Sequence, residues 1–182
     1  MLWQLAGDAG RSFGRFDRSG LADGEAWRLL TGHLVHMSWG HFVMNVCGLA
    51  ALSWVFSREI RAWNWLGIAL VSAAAIDAGL YYGNPELQWY VGLSGILHGF
   101  WAAGALRGIL YADRSFGALA LAGLLGKLLF EYRFGPSDFT ESLTGANVVT
   151  VAHAYGALGG ALFVVAAALV QRVFRRRRRA PL

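Results

Sequence analysis

The sequence predicts an all-α, polytopic membrane helical bundle. Three observations carry that reading. Only 15% of the 182 residues are charged while 56% are hydrophobic, whereas soluble domains hold about 25% charged residues. Apolar runs close to the roughly 20 residues of a spanning helix recur along the chain. The basic residues between those runs alternate in the way that inner and outer loops of membrane proteins do.

Five apolar segments follow in order: 34–56, 63–82, 93–111, 116–134 and 148–174. Backbone polar groups in lipid need internal partners, so each is expected to be helical. The first is interrupted by His36, His41 and Asn45. Placing the Arg175–Arg179 tail inside puts Arg58, Arg61, Arg107, Arg114 and Arg172 inside as well, while the outer loops 83–92 and 135–147 hold no basic residue. The expected organisation is an outer interfacial N-terminal segment over 1–28, a membrane domain over 29–174 and a basic cytoplasmic tail over 175–182. Residues 1–28 mix Arg11, Arg15, Arg18 and Arg28 with Trp3, Phe13, Phe16 and Trp27, which suits a segment lying at the membrane surface.

Composition also excludes function classes. One cysteine, Cys47, allows no internal disulfide and no cysteine-based metal cluster. The net charge of +5 is concentrated in the tail, and a basic run after an apolar helix anchors at an anionic membrane surface. No nucleic-acid-binding module accompanies it.

Polar residues inside membrane segments are costly and therefore point to function. With the topology above, His36, His41, Ser94, His98 and His153 all fall toward the outer ends of their segments, in one layer. His41 and Asn45 share a helix face at i, i+4, as do Ser94 and His98. Lys127 and Glu131 are also at i, i+4 and read as a self-neutralising ion pair near the outer interface. Asp77 is expected to snorkel outward or to pair with another helix. Glycines run along the third segment at Gly92, Gly95, Gly99, Gly104 and Gly108, and Gly156 and Gly160 follow His153 as GxxxG. Such spacing lets two helices cross closely, which would bring Ser94 near His153.

A serine at a helix start with a histidine nearby is the pattern of nucleophilic acyl transfer. His98 and His153 are both candidates for its base. No carboxylate is evident in the outer layer, so a Ser–His dyad is expected, with Asp138 and Glu141 as loop candidates for a third member. The helix N-terminus at Ser94 supplies unpaired N–H groups and a positive dipole end for a developing oxyanion. Two other classes fit less well. His33, His36, His41, His98 and His153 suggest zinc, but an intramembrane zinc protease would carry HExxH, which is absent. A transporter would hold its polar groups near the midplane, often on broken helices.

The stretches WRLLTGHLVHMSWGHFVMN (27–45), GLSG (92–95) and AHAYGALGG (152–160), in that order, resemble the rhomboid family of intramembrane serine proteases. The resemblance implies Ser94 as nucleophile and His153 as general base. It implies His41, Asn45 and the Ser94 backbone N–H as oxyanion donors, and His36 with the Trp27–Arg28 pair as support. Gly92, Gly95, His98, Gly156 and Gly160 would complete the surroundings, with no metal and no cofactor. GLSGILHG, with His98 where other rhomboids usually have an aromatic residue, and KLLFE (127–131) are most similar to the rhombosortase subgroup. That likeness implies transmembrane substrates ending in Gly-Gly, a membrane helix and a basic tail, cleaved near the outer face. It also implies a multi-pass place in a bacterial inner membrane with the C-terminus cytoplasmic. Simple bacterial rhomboids have six spans, so the usual first span is expected to be missing here. The alternative function is an inactive rhomboid-like protein that binds membrane helices without cutting them.

Overall fold

The computed structural model describes residues 7–145 and 148–179, with side chains up to 174. Trp3 and the side chains of the Arg175–Arg179 tail lie outside the described residues. The fold is a helical bundle capped at one end by a small N-terminal unit. That unit comprises α1 (Gly7–Gly14), β1 (Phe16–Asp17), α2 (Arg18–Ala22) and α3 (Arg28–Thr31). The bundle follows as α4 (Trp39–Val55), α5 (Ala62–Gly83), α6 (Ser94–Tyr111), α7 (Arg114–Phe134) and α9 (Val151–Arg179). A short helix α8 (Asp138–Thr144) links the last two, and β2 (Trp89–Tyr90) lies between α5 and α6. β1 and β2 pair antiparallel, Phe16 opposite Tyr90 and Asp17 opposite Trp89.

Among the described residues, three helices are long and apolar enough to cross a membrane: α5, α7 and α9, the last from Val151 to Phe174. The first bundle helix is shorter than its apolar run. Ser38 caps it, its hydroxyl accepting from the His41 N–H at 3.0 Å, so His36 sits in the loop before α4 rather than within it. α6 is the central helix and packs against α9, α7, α5 and α4. Its buried face includes Ile96, Leu97, His98, Phe100 and Ala103. A helix surrounded by protein need not present an apolar surface to lipid all round, which is why α6 tolerates His98 and four glycines.

The glycines set the α6–α9 crossing. A methyl group on Gly156 would collide with the carbonyl oxygen of Gly95, and one on Gly160 with that of Gly99. Backbone meets backbone there, so nothing flexible can give way. Gly156→Val is expected to cost about 3 kcal/mol or more, the upper range for overpacking a tight interior. Thermal unfolding in detergent checks this, with Ala154→Val on an exposed position as the control.

The N-terminal unit is held by its arginines. The Arg18 guanidinium donates to the carbonyls of Leu80 (2.8 Å), Tyr81 (2.9 Å) and Asn84 (3.0 Å). Those are orphan carbonyls at the C-terminal end of α5, where a cation also meets the negative dipole end. Buried Arg28 donates to the carbonyls of Ser12 and Arg15 and pairs with Glu25, while Trp27 stacks on Phe13. The surface-seeking arginines of the sequence reading are in these cases engaged by protein groups.

Asp17 caps α2. Burial alone would raise its carboxyl pKa, but the Ser19 hydroxyl, the Gly20 N–H and the Arg15 guanidinium outweigh it and hold the group at about 2, below the ordinary 3.8. A lowered folded pKa stabilises the fold above the unfolded value, and the gain is lost as pH falls toward the folded one. The stability advantage of the native protein over Asp17→Asn is therefore expected to stay level from pH 7 to 5. It should shrink below pH 4 and vanish by about pH 2, as read by thermal unfolding across that range.

Candidate active site

Gly92 turns the chain from β2 into α6 with φ +124°, a conformation that favours glycine. A side chain there would also press on the His41 ring. The turn is braced from both sides: the Gly92 N–H donates to the Gly32 carbonyl at 2.9 Å, and the Tyr90 hydroxyl donates to the Gly92 carbonyl at 2.9 Å. Ser94 follows as the first residue of α6.

The close α6–α9 crossing places His153 opposite it. Ser94 Oγ lies 3.0 Å from His153 Nε2. On the other side of the ring, His153 Nδ1 lies 2.8 Å from Glu131 Oε2. A carboxylate accepts only, so Nδ1 carries the proton and Nε2 presents its lone pair to the serine hydroxyl. The remaining Glu131 oxygen, Oε1, takes the ammonium of Lys127. His153 and Glu131 are both buried.

This corrects the expectation of a bare dyad with no carboxylate in the outer layer. The i, i+4 pair with Lys127 uses one Glu131 oxygen and leaves the other for His153. The signal was present in the topology. Glu131 stands three residues before the C-terminal end of α7, about 5 Å along its axis, and alternation puts that end beside the start of α6 and α9. Among the described residues Glu131, not Asp138 or Glu141 of α8, is the carboxylate that meets His153.

His98 lies one turn below Ser94. Its Nδ1 donates to the Ser94 carbonyl at 2.8 Å, and its ring stacks on His153 with centroids 4.1 Å apart and planes within 11°. Its position under the catalytic-type histidine, with no hydrogen bond to Ser94 Oγ among those described, separates the two base candidates: His153 faces the hydroxyl and His98 supports the ring.

The α4 residues line the other side. His41 shares a small cavity with Ser94, Met37, Tyr90, Val91 and Thr144. The Met37 N–H points to His41 Nδ1 at a long 3.4 Å, which leaves Nε2 as the donor. Asn45 is buried, and its Nδ2 has no hydrogen-bond partner. His36 meets the His41 ring edge-on at 4.9 Å and bonds the Leu34 carbonyl through Nδ1. The cavity over Ser94 holds about 30 Å³, near one water's share of liquid volume. Thr144 at the end of α8 lines it, and the Ser38 hydroxyl tethers that helix by donating to the Leu143 carbonyl at 2.7 Å.

A larger cleft of about 700 Å³ lies elsewhere, between the N-terminal unit and α5, with Asp77 on its wall among Leu29, Leu70 and Tyr81. Asp77 pairs there with His33, Oδ1 to Nε2 at 3.2 Å; His33 stands in the turn after α3, so the partner is a loop residue and not the second helix expected from the sequence. This cleft is the larger, but Ser94 and His41 line the smaller one.

A helical bundle that lines up a serine hydroxyl, an imidazole and a carboxylate through hydrogen bonds has the arrangement used in nucleophilic acyl transfer. The Rhomboid domain family matches residues 23–170, most of the chain, and the protein belongs to that family. It is 26% identical over 157 residues to a protein of Bacillus subtilis (strain 168) named "Putative rhomboid protease YdcA", covering 86% of this chain and 74% of that one. No solved structure matches it.

Proposed function

We propose that the protein is an intramembrane serine endopeptidase. The observation that carries this is the line Ser94 Oγ–His153 Nε2–His153 Nδ1–Glu131 at 3.0 and 2.8 Å. As Ser94 Oγ attacks a peptide carbonyl, His153 Nε2 takes its proton, and Glu131 steadies the imidazolium that results. His153 then returns the proton to the leaving amine, and water repeats the cycle on the acyl-enzyme. The Ser94 N–H, His41 Nε2–H and the unpartnered Asn45 Nδ2 serve the oxyanion. A buried donor with no partner costs stability, and a site that supplies its partner only in the transition state accounts for that cost. Asn45→Ala is expected to lower kcat about 10²–10³-fold with KM little changed, as read with a cleavable reporter.

The orientation follows the arginines, with Ser94 near the outer face and the C-terminus cytoplasmic in a bacterial inner membrane. The substrate reading rests on the resemblance of GLSGILHG and KLLFE to rhombosortases: membrane-anchored proteins whose C-terminal signal is Gly-Gly, a transmembrane helix and a basic tail. A cavity of about 30 Å³ admits no peptide, so its lining, Thr144 with Val148 and Val149 included, has to open for an extended segment to reach Ser94. Proteoliposomes holding the protein and two reporters test specificity. The account expects cleavage of the Gly-Gly reporter and at least about tenfold slower cleavage when Gly-Gly becomes Val-Val, a 1.4 kcal/mol discrimination. Equal cleavage would remove the rhombosortase reading. No cleavage of either, by folded protein, would favour an inactive helix-binding member.

A further inference from the structure

The hydrogen bonds around His98 leave one strong ligand atom unused. Its Nδ1 faces a carbonyl and therefore carries the proton, so Nε2 holds a lone pair. That atom is buried, with the residue only 7% exposed, and has no hydrogen-bond partner. It stands beside the two groups that orient each other across α7 and α9. One ligand atom each from His98, Glu131 and His153 lie within 4.8 Å of one another. The set is His₂Glu, a zinc-binding combination, and around a tetrahedral Zn²⁺ such atoms sit roughly 3.3 Å apart. A tilt of the stacked rings closes that gap. The cation now beside the cluster is the Lys127 ammonium, on a flexible side chain 38% exposed and free to withdraw.

We infer that His98, Glu131 and His153 form an inhibitory site for a zinc-class divalent ion. The ion replaces the Lys127 ammonium at Glu131 and binds His98 Nε2 and His153 Nδ1. Ligation at Nδ1 of a neutral imidazole moves that ring's proton to Nε2, so no proton is gained or lost. Nε2–H then faces Ser94 Oγ, and the ring can no longer accept the serine proton. The ion thus blocks the chemistry without touching the nucleophile. The inhibitory half rests on reading His153 as the base; the binding half does not.

Co²⁺ is the probe, because a bound ion of low coordination number absorbs visible light. The test uses the full chain as Ser94→Ala, tag removed, in detergent, so that binding is read without any activity. One equivalent of Co²⁺ is expected to bind, displaceable by Zn²⁺. Affinity is expected to fall in Ser94→Ala/His98→Phe and in Ser94→Ala/Glu131→Gln, each by at least the roughly 10–100-fold that losing a group merely hydrogen-bonded to a ligand costs. It is expected to rise in Ser94→Ala/Lys127→Met. Folding is verified by unfolding temperature, and either ligand variant that folds suffices. No Co²⁺ spectrum, or one unchanged by loss of His98 or Glu131, overturns the site. In the native protein, Zn²⁺ is expected to suppress labelling by a fluorophosphonate; a bound ion at this site with labelling undiminished overturns the block.

Discussion

Ser94→Ala and His153→Ala are each expected to reduce cleavage by about 10⁴-fold or more, and the double variant by scarcely more than either alone. Residues acting as one unit lose most of their joint effect when any member goes. In the proposed mechanism the serine is a nucleophile only while His153 Nε2, 3.0 Å away, is free to receive its proton. What remains is the contribution of substrate binding and the oxyanion donors, which outlive the nucleophile. The comparison that checks this is the initial rate of reporter cleavage for the two single variants and the double. Additive losses would mean that the two side chains act separately and that the contact is incidental.

Glu131→Gln is expected to lower kcat by about 10²–10⁴-fold while leaving KM near the native value. The amide is nearly isosteric, so the packing of α7 on α6 is kept, but the charge is gone. A Gln can also present its NH₂ to His153 Nδ1, which favours the tautomer with the proton on Nε2. In a Ser–His–Asp protease the same exchange of acid for amide costs up to about 10⁴ through the wrong tautomer. Two things distinguish this from a structural role. The unfolding temperature is expected to change little, and Glu131→Asp is expected to recover part of the loss. A dyad indifferent to Glu131 would keep most of its activity in Glu131→Gln. Lys127 acts at one remove, on the other carboxylate oxygen, so Lys127→Met is expected to have the smaller effect on kcat.

Much of this architecture was legible because physics writes it locally. The apolar runs mark the helices, and the positive-inside pattern pairs their ends. Gly95, Gly99, Gly156 and Gly160 sit at spacings that permit a close crossing, and in the structure their backbones meet. From that crossing, Ser94 beside His153 follows. Other features depend on contacts between distant segments that spacing does not encode. Glu131 had a local partner in Lys127, and a satisfied charge invites no search for a second one. Arg18 looked like a surface residue because nothing in its neighbourhood names the α5 carbonyls 62 and more positions away. The apolar run from 34 overshoots the first bundle helix because hydropathy counts His36 with the run, whereas the Ser38 cap decides where the helix begins.

The measurement that bears most directly on the central claim is the site and stoichiometry of covalent labelling by a fluorophosphonate, read by intact mass and peptide mapping of the folded protein in detergent. One adduct per chain is expected, on Ser94, absent in His153→Ala and strongly slowed in Glu131→Gln. No adduct on folded native protein, or an adduct on Ser94 that forms equally well without His153, would contradict it.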